Sequence, residues 1–98
     1  MEETVAQHAH EGAETLALQA LTWLLGQEEL LPVFLGSTGA SGESLAAGAG
    51  DPVFLASVLD FLLMDDAWVI ACADGIGCPY PALATARAAL PGAAPHWT

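Results

Sequence analysis

The sequence predicts an all-α fold, one compact single-domain bundle of five or six short helices over residues 1–98. Three observations predict it. Apolar residues recur at helical spacing in Leu16, Ala17, Ala20, Leu21 and Leu24, with Thr15, Gln19 and Thr22 as a narrow polar stripe opposite. Asp51-Pro52 is a helix start signal: an N-cap acceptor, then a proline at the first helical position, where its missing N–H costs nothing. From residue 53 to 64 only Ser57 and Asp60 are polar, and they lie three apart. A helix that is apolar nearly all round belongs at the centre of a core.

Taken in order, residues 1–12 are polar and carry His8 and His10, and residues 1–11 read as a flexible end. The first helix starts at Ala13. Gly26 is its stop, because glycine tolerates the left-handed conformation of a C-terminal cap. Residues 28–35 read two ways. Leu30, Leu31, Phe34 and Leu35 fit a short helix with Glu28 and Glu29 favourable in its first turn. The segment from Pro32 to Leu35 alone also suits a strand, which the proline would confine to an edge. The helix is preferred.

Residues 36–50 hold five of the ten glycines, and residues 41–47 offer one helical turn that buries Leu45. After the central helix, Asp65 or Asp66 caps a helix over residues 67–73, with Gly75 to end it. The β-branched pair Val69-Ile70 in that stretch would also suit a strand. Pro79 or Pro81 opens the last helix, in which Leu83, Ala86, Arg87 and Leu90 share a face at i, i+3, i+4 and i+7. Pro91-Gly92 terminates it, and residues 93–98 read as a second flexible end.

Composition narrows the function classes. Of 98 residues, 12 are acidic and one, Arg87, is a full cation, so the formal charge is −11, while 54% of residues are apolar and mean hydropathy is +0.50. A disordered acidic tail needs low hydrophobicity, and this chain has the opposite. One arginine cannot displace counterions from a nucleic acid, and an anionic membrane surface repels the chain. Met1-Glu2-Glu3 has the wrong charge for the start of a signal peptide, and no apolar run approaches the length of a membrane span. Two cysteines are too few for a disulfide scaffold. The expected setting is the cytoplasm, with reduced thiols. A homodimer is compatible with this size but is not implied by it.

Four motifs invite a functional reading. Gly36-Ser37-Thr38-Gly39-Ala40-Ser41-Gly42 resembles the glycine-rich turn of short-chain dehydrogenases, where glycines admit a pyrophosphate. Such a turn should follow a strand and open a series of βαβ units, and here a helix precedes it. A flexible linker outweighs it, and no cofactor is expected. Gly77-Cys78-Pro79-Tyr80-Pro81 resembles the Cys-Pro-x-Pro signature of small sulfur-relay proteins of the TusA type. That resemblance would make Cys78 a sulfur carrier, its thiolate favoured at a helix start. In those proteins the motif sits near the N-terminus of an α/β fold, whereas here it sits late in a helical one. For metals, His8 and His10 diverge on a helix. Cys72 and Cys78 lack Cys-x-x-Cys spacing, and Asp60, Asp65, Asp66 and Asp74 do not follow a calcium loop. For catalysis, Ser37, Ser41, Ser44 and Ser57 lack a nucleophile-elbow context. No catalytic or metal residues are assigned.

Two residue types remain. Arg87 is expected to pair with Asp74, Asp65 or Asp66 and to pin the last helix to a neighbour. Trp23 and Trp68 fall in helices as core or core-edge residues, while Trp97 lies in the tail and either contacts a partner or packs back.

Phe34-Leu35 with Thr38-Gly39, Asp51-Pro52-Val53-Phe54-Leu55, Val58-Leu59-Asp60-Phe61-Leu62, Asp65-Asp66 and Ala86-Arg87 with Leu90-Pro91-Gly92 carry a wider resemblance. Over roughly residues 12–92 the chain resembles an uncharacterised family of small alphaproteobacterial proteins, domain of unknown function three-five-seven-two. The resemblance implies a small, all-helical cytoplasmic protein of unassigned activity, with no cysteine required at the position of Cys78. The functional expectation is a non-enzymatic protein–protein interaction or regulatory module with an unknown protein partner. The alternative is a thiol carrier using Cys78.

Overall fold

The computed structural model describes residues 2–90, with side chains over residues 12–90. Among the described residues the chain is all-α, in one domain of six helices: α1 (Glu2–Leu25), α2 (Leu30–Thr38), α3 (Gly42–Gly48), α4 (Pro52–Leu62), α5 (Asp66–Ile76) and α6 (Ala82–Ala88). His8, His10, the Pro91-Gly92 stop, the tail over residues 93–98 and Trp97 lie outside the described side chains.

α4 forms where the start signal places it. Asp51 has extended backbone, and its Oδ1 accepts the Val53 N–H at 3.0 Å, with Pro52 at the first position. Leu55, Ala56, Val58, Leu59, Phe61 and Leu62 are buried around most of the helix. Asp65 caps α5 in the same way, accepting the Ala67 N–H at 2.8 Å, and Ser41 caps α3 by accepting from Ser44. α3 buries Leu45, and α2 is a helix rather than a strand.

Three boundaries differ from expectation. α1 begins at Glu2, well before Ala13. Gly26 follows the end of α1, but among the described residues the left-handed glycines are Gly39 and Gly77. The Gly26 N–H instead bonds Trp23 O at 3.0 Å and the Gln27 N–H bonds Leu24 O at 2.9 Å, which tightens the last turn. α5 runs through Gly75 and stops at Gly77, with φ 78°, whose N–H bonds Ala73 O at 2.8 Å.

The long α1 is the backbone of the packing. Its face of Ala13, Ala17, Ala20, Leu21 and Leu24 lies against α4, α5 and α6, and alanines at this seam let the helices approach closely. An aromatic chain crosses the core. Phe34 meets Phe54 edge-on at 6.1 Å and Phe61 at 5.2 Å, and Phe61 stacks on Trp68 at 4.8 Å. No single helix among the described residues is long and apolar enough to cross a membrane; α3 and α4 pass that test only together, bent by 115°.

Candidate functional site

The expected partner of Arg87 is corrected. Its Nε donates to Asp60 Oδ1 at 2.6 Å, and among the described residues the pair is not with Asp74, Asp65 or Asp66. The reason is placement. Asp65 is spent on the α5 cap, Asp66 lies in that helix's first turn, and Asp74 faces Tyr80, whose hydroxyl it pushes up in pKa. Asp60 lies on the thin polar stripe of α4, against which α6 packs. The Arg87 side chain is 13% exposed and that of Asp60 56%, so the pair is a bolt at the rim of the core.

The thiols do not favour sulfur chemistry. Cys78 lies in the loop ahead of α6, and burial pushes its thiol up, opposed only by a backbone hydrogen bond. A carrier thiol needs the opposite direction. Cys72 is fully buried, and burial with the nearby Cys78 pushes it up to about 11. The glycine segment is no phosphate cradle either. Gly36, Ser37 and Thr38 are helical, and Thr38 Oγ1 donates back to Phe34 O at 2.8 Å. Among the described residues no group of three or more His, Cys, Asp or Glu could hold a metal ion.

What the sequence reading missed is a surface. Trp23 and Trp68, counted as core or core-edge, are both half-buried, and they wall an open apolar groove made by α1, α2 and α5. One hollow, about 460 Å³, lies between Leu18, Thr22, Trp23, Gly75 and Ile76. The next, about 360 Å³, lies between Trp23, Leu30, Val33, Trp68 and Ala71. Trp23 lines both, so the hollows adjoin at its ring.

Each wall is held in place by packing. The Trp23 ring lies so close to Gly75 that a Cβ there would come within 2.5 Å of its Cδ1 and Nε1. Trp68 is fixed by its stack on Phe61. Two polar lining residues are turned inward to the backbone: Thr22 Oγ1 donates to Leu18 O at 2.9 Å, and Gln27 Nε2 to Trp23 O at 3.3 Å. Leu18 and Val33 remain 41% and 48% exposed. A signal for this groove exists in the sequence: a tryptophan near the end of one helix and a glycine inside another. Neither shows which is opposite which.

The fold is that of a small all-α domain, and its described side chains include this groove. The chain belongs to the family described as Protein of unknown function (DUF3572), whose model matches residues 10–93. No curated protein and no solved structure matches it.

Proposed function

We propose that the chain is a non-enzymatic interaction or regulatory module of the cytoplasm that docks a protein partner in the Trp23–Trp68 groove. One observation carries this reading: two adjoining, largely apolar hollows, built on three helices and walled by tryptophans, open to the surface. Contiguous apolar patches on a folded chain mark interaction sites, and aromatic side chains anchor them. Pre-formed walls reduce the ordering that binding would otherwise cost. Nothing in the thiol geometry favours the carrier alternative.

The test is photo-cross-linking in the source cells. A photoreactive residue replaces Leu18 or Val33 in the groove, or the exposed Ala84 of α6. A discrete adduct from both groove positions, missing from Ala84 and lost when Ala71→Arg is added, is the expected result. Adducts that do not depend on the groove, or none, would overturn the reading.

A further inference from the structure

We propose that the occupant of this groove is a basic amphipathic helix of a partner protein. The proposal rests on the interaction reading above and names the chemistry of the partner.

Shape supports a helix. The two hollows follow one another along α5, with Ala71 in one and Gly75 in the other. Four helical residues rise about 6 Å. Side chains at i and i+4 of a docked helix lie about 5–6 Å apart, so two apolar residues one turn apart enter the two hollows together. The described backbone forms helices without a strand, so it offers no sheet edge for an extended peptide.

Charge supports a basic one. Glu29 lines the groove, and Glu28 precedes it. The other charged side chains described on α1 and on α5 with its cap are Glu14, Asp65, Asp66 and Asp74, all acidic. The lone cation, Arg87, is on α6 and bonded to Asp60. A groove with an apolar floor and an acidic surround complements a helix whose apolar stripe is flanked by Lys and Arg. A second copy of this chain is the wrong occupant, since each carries a formal charge of −11 and the two acidic surrounds would repel.

The experiment titrates the full chain with a synthetic helix of about 14 residues, a length of about 21 Å. The peptide carries Leu at i, i+4 and i+7 and Lys on both flanks. A control has Glu in place of each Lys. The readout is the pair of indole N–H resonances of Trp23 and Trp68. Saturable shifts of both are expected, at least tenfold tighter for the Lys peptide and weakened at least severalfold by high salt. Ala71→Arg, or Val33→Gln should the first variant misfold, is expected to lose at least tenfold with an unchanged helical spectrum.

Equal binding of the Glu peptide, or no shift at the indoles with either peptide, would overturn the proposal. So would indole resonances that change on dilution of the chain alone together with a sedimenting dimer, because a second copy would then cover the face. If neither peptide shifts the indoles but Leu18 and Val33 still cross-link a partner, the basic helix falls and the interaction reading stands. If cross-linking fails as well, both fall.

Discussion

Arg87 Nε donates to Asp60 Oδ1 at 2.6 Å, joining the last helix to the central one across 27 residues of chain. The sole full cation of the molecule is therefore part of the scaffold, and the groove on the other helices has no positive charge of its own. Asp60→Asn keeps the shape and removes the charge. It is expected to lower the unfolding free energy by about 1 kcal/mol. A double-mutant cycle with Arg87→Met should give a coupling of about 0.5–1 kcal/mol, smaller at high salt, because the carboxylate is half-exposed. Urea titrations of the four proteins measure it.

Gly75→Ala and Gly36→Ala should move stability in opposite directions. Both glycines are helical, and alanine is favoured there by about 1 kcal/mol. At Gly36 nothing lies within 4 Å of the new methyl, so the gain is kept. At Gly75 the methyl would meet the Trp23 ring within 2.5 Å, so the ring must move. A net loss of about 1 kcal/mol is expected there. The Trp23 indole resonance should shift in the Gly75 variant and stay in place in the Gly36 variant.

The two aspartate caps contribute separately. Asp51 and Asp65 each accept one N–H at the start of a helix, α4 and α5 respectively. Asp51→Ala and Asp65→Ala should each cost about 1 kcal/mol. The helices touch at few points besides the shared core, so the double variant should lose close to the sum. Thermal unfolding followed by circular dichroism tests both values.

Cys72 makes the fold sensitive to alkali. Burial, aided by Cys78, pushes its thiol from 9.0 up to about 11. Between those values the folded chain keeps a proton that the unfolded chain gives up. The stabilisation is complete below about pH 9 and is lost as pH climbs towards about 11. Cys72→Ala should flatten this part of the pH–stability curve. It should also lose about 1 kcal/mol at neutral pH from the missing sulfur contacts. Urea midpoints across this range decide it.

What was legible in the sequence was local. Asp51-Pro52 marks the start of α4 by itself, and Ser57 with Asp60 marks its thin polar stripe. The end of α5 is ambiguous in sequence because two glycines, Gly75 and Gly77, both suit a stop. The left-handed cap falls on Gly77, while Gly75 stays helical with the Trp23 ring of another helix packed on it. The partner of Arg87 is hidden for a similar reason. Acids near helix starts look available in sequence, yet Asp65 is committed to its own backbone. A solitary carboxylate in an apolar helix, Asp60, was the better clue. The groove was invisible because periodicity tells that Trp23 and Trp68 face inward, and only the assembled helices show that they stop halfway.

The solitary cation also gives the molecule a built-in reporter of local opening. Trypsin cuts after Lys or Arg, and the chain holds one such residue. The bond it attacks, between Arg87 and Ala88, lies inside α6, with the arginine side chain mostly covered. Cleavage must wait until the last turn of α6 opens around the covered arginine. A single protease and a single product pair would therefore report the opening of that turn, with no label added.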